Sequence, residues 1–242
     1  MNLLSIGTAQ RRLFAIHEAA AATAQQPRAI VLCQPWAAEY TYAHRTMRQL
    51  SLKLSLAGWH TLRFDYYGTG DSGGDEAATD LRGCEADVEC AMEALADIAG
   101  TRRVALTGLR LGANIAASVA ARRAEDVPAL ALWDPIISGK KYLESLRAMP
   151  KWSESGAGEG SMAKDVEALQ LQSLVGMLPE RSVIVVTDDV GTYDQMNHLG
   201  FGSTTKPSAV EYVPAPCPWV ESATTTGILP VPAIQRVVEW LR

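Results

Sequence analysis

The sequence predicts an α/β protein, a mostly parallel sheet with helices on both faces. Three observations carry this. Short, continuously apolar runs that suit strands buried on both faces alternate with longer stretches of helical spacing. Glycine, proline and aspartate punctuate the boundaries between the two. The 242 residues are 48% apolar and 20% charged, ordinary globular usage that excludes a disordered, collagenous or coiled-coil chain. That length fits one large domain over residues 1–242.

Taken in order, LLSI (3–6) and LFAIHE (13–18) read as short strands joined by the polar AQRR, and 19–27 as a surface loop. AIVLCQP (29–35) is an apolar run stopped by proline, a fully buried central strand. Met47, Leu50, Leu54 and Ala57 fall at helical spacing, with Gly58 as the stop. WHTLRFDYYG forms the next strand and leads into a glycine-rich loop, GTGDSGGDE. Asp80 caps the clearest helix, whose stripe is Leu81, Cys84, Val88, Ala91, Leu95 and Ile98. The strand RVALTG (103–108) runs straight into an alanine-rich helix, LRLGANIAASVAAR, and PALALWDP repeats the strand-then-turn pattern. Residues 138–180 break the rhythm. They hold GKKYLESL, the stretch SESGAGEGS (153–161) and a short helical pattern around Val166–Leu174, and read as a small helical insertion with a mobile middle. The alternation resumes with SVIVVTDD (182–189), a long loop, AVEYVP (209–214), another long loop and a closing helix from Pro232.

Charge and composition narrow the function classes. Net charge is −5 and neither half is basic, which argues against nucleic-acid binding driven by phosphate contacts. Four cysteines contain no CxxC pair, so no metal knuckle or redox motif is expected. No apolar stretch approaches the ~20 residues of a membrane span, and the N-terminal apolar run is too short for a secretory core. A cytoplasmic protein with free thiols follows. Only four histidines exist, at positions 17, 44, 60 and 198.

Two glycine turns compete for attention. Gly68-Thr-Gly70-Asp-Ser-Gly73 fits the dinucleotide pattern GxGxxG. Against it, two strands precede this one, the next strand ends Leu106-Thr107-Gly108 without a ribose-binding acid, and Asp71, Asp75 and Glu76 crowd the pyrophosphate position. No cofactor is expected. The second turn, Gly108-Leu109-Arg110-Leu111-Gly112, joins strand to helix as a nucleophile elbow does, with Arg110 at its centre.

Four segments, QPWAAEYTYAHR (34–45), LRFDYYGTGDSGGD (62–75), GLRLGA (108–113) and LWDPIISGKKYL (132–143), with the closing WVES…VVEWL, carry a family likeness. The chain resembles α/β-hydrolases of the serine-aminopeptidase-like group, and within them the exosortase A system-associated hydrolases. That resemblance implies an α/β-hydrolase fold, a mostly parallel twisted sheet of about eight strands with helices on both faces and a small cap insertion at about 138–180. It also implies a triad in the order Ser, acid, His. Arg110 stands at the serine position; a guanidinium stays protonated and has no lone pair with which to attack a carbonyl. The acid position is filled by Asp188 or Asp189, with Asp134 as a second candidate. No histidine lies within 215–231, where the third member belongs.

The backbone part of the site needs no particular side chain. Its oxyanion donors are the N–H of Leu111 and one near Trp36 or Ala37. Arg110 at a helix N-terminus adds charge, which makes an anion pocket. A replacement base is less well supplied. His198 lies on the loop after Asp188; a lone loop histidine is more often surface decoration. His44 reads as a packing or capping residue, and His17 and His60 as structural. Cys33 reads as an inert buried thiol and Ser72 as a turn residue bonded to its own backbone. Glu39 and Tyr40 either line the pocket or are an exposed acid and a packed ring. Two readings remain. The first is a hydrolase-fold protein that binds a small anionic ligand, free or as a carrier-bound acyl group, without serine hydrolysis. The second is an atypical enzyme using Asp134, Asp188 or His198 in acid–base chemistry. A guanidinium locked to Asp134 or Asp188 would instead mark Arg110 as a structural plug.

Overall fold

A computed structural model describes residues 1–21, 26–75, 79–148, 160–187, 190–200, 208–219 and 228–242. The elements follow the alternation. A hairpin of β1 (Asn2–Gly7) and β2 (Arg12–Glu18) precedes β3 (Arg28–Cys33), α1 (Ala38–Leu56), β4 (Trp59–Phe64) and α2 (Leu81–Ala99). Next come β5 (Val104–Leu109), α3 (Leu111–Arg122) and β6 (Leu130–Trp133). Helices α4 (Gly139–Arg147) and α5 (Ser161–Glu167) and a 3₁₀ helix (Leu171–Met177) lie between β6 and β7 (Ser182–Val186). The chain then runs through α6 (Val190–His198) and β8 (Ser208–Tyr212) to α7 (Val231–Leu241).

The strands form one eight-stranded sheet in the order β1-β2-β4-β3-β5-β6-β7-β8. β1 and β2 are antiparallel to their neighbours, and every pairing from β4 to β8 is parallel. The apolar runs mark the buried centre because side chains alternate between faces. In β3, Ala29, Val31 and Cys33 pack with α2 and α3, whereas Ile30 and Leu32 pack with α1 and α7. Fully burying a leucine such as Leu32 or Leu54 stabilises by about 1.5–3 kcal/mol.

Helix α2 is capped as its sequence requires. The Asp80 carboxylate accepts from Gly83 N–H at 2.6 Å, and Gly100 ends the helix at φ 64°. Two sequence expectations need correcting. Ile98 lies outside the buried stripe and is exposed; Ala99 is buried in its place. The loop expected after β7 contains α6, whose single buried residue is Met196, so no apolar stripe announces the helix. The expected mobile middle of the insertion falls mainly on 149–159, and Asp188 and Asp189 on 188–189, all outside the described residues.

Candidate functional site

The site is set by two main-chain turns at the C-terminal edge of the parallel strands. At the first, β5 hands over to α3 through Arg110, which has φ 56° and ψ −126°. The flanking glycines make this turn possible. A Cβ on Gly108 would lie 2.3 Å from Gly112 O, and one on Gly112 would lie 2.3 Å from Gln34 O and 2.4 Å from Cys33 O. The strained backbone is pinned by Arg110 N–H donating to Trp133 O at 3.0 Å. At the second turn, Ala37 precedes α1 with φ 55° and ψ −140°. Trp36 and Leu111 are buried. The N–H of Leu111, first in its helix, has no acceptor within that helix.

Arg110 does not reach out alone. Its Nε donates to Glu39 Oε1 at 2.9 Å, with the Glu39 side chain 0% exposed and that of Arg110 17% exposed. The second oxygen, Glu39 Oε2, accepts from the Tyr142 hydroxyl at 2.8 Å, and the Arg110 guanidinium carbon lies 5.5 Å from the Tyr142 ring centre. Arg110 Nη1 makes a longer contact, 3.4 Å, to the main-chain O of Asp134. Burial acts to lower the Arg110 pKa, but Glu39, Tyr142 and Asp134 together raise it above its ordinary value. Burial, reinforced by Glu39, lifts Tyr142 well above the usual phenol range, so its hydroxyl remains a donor. Glu39 is therefore neither an exposed acid nor a bare pocket wall.

Asp134 ends β6 at φ 43° and is 1% exposed. Its Oδ1 accepts from Thr187 N–H at 2.7 Å, and its Oδ2 accepts from the Thr187 hydroxyl. Trp133 Nε1 donates to the same hydroxyl oxygen at 3.2 Å, and Cys217 Sγ lies 3.5 Å from it. The Asp134 carboxylate thus ties the ends of β6 and β7. His198 is exposed at the C-terminus of α6, where its Nδ1 lies 2.6 Å from Asp194 O. His44 is exposed on α1, so the packing expected of it is not found.

The other residues singled out in the sequence have these surroundings. His17 and His60 stack across β2 and β4, with Nε2 and Nδ1 3.1 Å apart. Burial pushes the Cys33 thiol up to about 12, which keeps it protonated. Ser72 is not bonded to its own backbone as expected: its hydroxyl donates to Asp65 O at 2.5 Å and accepts from Phe14 N–H at 2.9 Å, which ties the loop to β2. Asp65, just after β4, takes the Tyr40 hydroxyl of α1 at 2.8 Å and Asp71 N–H at 3.0 Å, so its carboxylate holds the glycine loop against α1. Among the described residues, no three His, Cys, Asp or Glu side chains converge to hold a metal ion. Sequence reading missed the parts of Tyr142 and Thr187, which lie 103 and 53 positions from the groups they bond, beyond any local pattern.

A strained residue at a strand–turn–helix junction, above a mostly parallel eight-stranded sheet with helices on both faces, defines an α/β-hydrolase fold. The model of the hydrolase family described as serine aminopeptidase, S33, matches residues 25–178, and the chain belongs to that family. Solved structures agree on the fold. An esterase of Pyrococcus furiosus superposes with a TM-score of 0.69 at 16% identity, covering 99% of this chain and 89% of its own. Est1E of Butyrivibrio proteoclasticus, solved with ferulic acid bound, gives 0.73 at 13% identity, covering 98% and 97%. A serine hydrolase without a lid from Xanthomonas campestris gives 0.66 at 14% identity, covering 100% and 93%. No curated protein matches the chain in sequence. Among the described residues no helix is long and apolar enough to cross a membrane.

Proposed function

We propose that this chain is a hydrolase-fold binding protein that holds a small acyl-type ligand, anionic or carried on a partner, without serine hydrolysis. The observation that supports this reading is Arg110 at the elbow with its Nε engaged by Glu39. Such a residue is neither nucleophile nor base. It still offers a planar edge: apart from the long Nη1 contact to Asp134 O, the Nη groups have no protein acceptor among the described residues. A ligand carboxylate would meet that edge with two parallel N–H donors, and the Leu111 and Ala37 N–H groups lie on the same turns. Because Glu39 cancels much of the arginine's charge, the pair favours an acyl chain with apolar contacts over a bare inorganic anion. The contacts made by Asp134 and His198 are met by Thr187 and by main chain, and give no specific support to acid–base turnover. A cytoplasmic setting and kinship with exosortase-associated hydrolases belong to the same reading; the first rests on four free thiols, the second on the motifs quoted above.

The test is direct. A fluorophosphonate that acylates active serines is expected to leave the protein unlabelled, and stoichiometric labelling overturns the proposal. Octanoate, titrated calorimetrically, is expected to bind the intact protein and to bind Arg110→Ala at least about tenfold more weakly, the loss of one charge-assisted contact. Equal affinity in the variant removes Arg110 as the anchor.

A further inference from the structure

A concavity whose lining does not include Arg110 lies between α2, α3 and the segment that follows α4. It encloses about 230 Å³, below the roughly 300–1,000 Å³ of drug-sized pockets, so its occupant is small. Leu81, Ile115, Leu169 and Leu174 supply apolar walls, Glu85 and Asp165 supply carboxylates, and among the described residues no Lys, Arg or His lines it. The two acids are not equivalent. Glu85 Oε1 accepts from the Ser118 hydroxyl at 2.5 Å and its Oε2 accepts from Arg122 at 2.9 Å. Asp165 Oδ2 accepts from Leu81 N–H at 3.2 Å, and its Oδ1 has no hydrogen-bond partner among the described residues. One oxygen of the half-buried Asp165 carboxylate is thus left without a protein donor among the described residues, in a cleft whose walls also carry Asn114, Ser118, Gln170 and Ser173, and Arg122 is already committed to Glu85 and Glu89.

We infer that this cleft is a binding site for a small aliphatic ammonium, its charged head on Asp165 and its chain along Leu81, Ile115, Leu169 and Leu174. An ammonium suits the place because it is a compact charge with three rotatable donors, whereas a guanidinium needs a planar, bidentate partner. A carboxylate of equal length meets like charge, and an alcohol brings no charge to offset that of Asp165. The ligand would bridge α5 to the α2 and α3 pair, and so steady the segment between β6 and β7.

Hexylammonium is the probe, titrated into the intact protein by calorimetry and by NMR, with hexanoate and hexanol as comparison. One saturable site for hexylammonium is expected, with NMR shifts at the cleft residues Leu81, Ile115 and Leu169, and no shift of those residues by hexanoate; equal perturbation of the cleft by the two overturns the inference. Asp165→Asn keeps an oxygen acceptor for Leu81 N–H and so preserves the fold, and it is expected to weaken hexylammonium binding about tenfold, a charge-assisted hydrogen bond lost. Unchanged affinity there overturns the assignment. Ser173→Trp, which fills the cleft from its exposed rim, is expected to abolish binding, and retained binding places the amine elsewhere.

Discussion

Arg110 shows how one side chain alters a site while the backbone around it stays the same. A guanidinium that is 17% exposed and paired with a fully buried carboxylate is stable only as a pair. Removing one member leaves the other charge without a partner, at a cost of about 3 kcal/mol or more when the pair is buried. Arg110→Ala is therefore expected to destabilise by about 3 kcal/mol in urea unfolding. Combining it with Glu39→Gln is expected to recover more than half of that loss, because no buried charge remains. Additive losses in the double variant contradict the pairing. In the sequence Arg110 was legible, and Glu39 only as one of two candidates for the pocket wall; their pairing and the part of Tyr142 were not. Glu39 precedes Arg110 by 71 positions and Tyr142 follows Glu39 by 103, so no local spacing links the three.

At the scale of elements, the elbow depends on its glycines. Main-chain oxygens sit where a Cβ on Gly112 would lie, and neither Gln34 O nor Cys33 O can yield without moving β3. Gly112→Ala is expected to cost about 3 kcal/mol, the upper range for overpacking, read as a lower thermal midpoint with less soluble protein. A variant as stable as the parent contradicts the close contact of α3 with the loop after β3. The elbow was readable in advance because glycine spacing and strand–helix order are local properties. The central strands were readable for a similar reason: continuous apolar runs mark strands buried on both faces, as in Ala29–Cys33 and Ser182–Val186. Helix α6 was not, since a helix with one buried residue leaves no periodic trace. Asp134 was recognised as an acid after β6, but its bonds to Thr187 depend on two strands meeting in register.

The whole molecule has a predictable response to acid. Burial, then the neighbouring His60 and the N-terminal ammonium, lower the His17 pKa from 6.5, while Glu18 opposes them weakly. The unfolded chain therefore binds a proton before the folded one does. Stability from this source is intact above about pH 6.5 and falls as pH drops below it, down to the folded-state value. Urea unfolding at pH 7.5 and 5.5 is expected to show this loss, and His17→Gln to reduce it; an identical pH slope in the variant removes His17 as the cause. A wider consequence follows from the hydroxyl of Tyr142. It belongs to α4, on the segment between β6 and β7, yet it grips the carboxylate that holds Arg110. The position of that segment and the occupancy of the elbow thus share one proton donor and one acceptor. Whatever factor a ligand on Arg110 imposes on the docking of α4, docking of α4 must return to the ligand in equal measure. Access to the site and affinity for its occupant are in this way two readings of a single equilibrium.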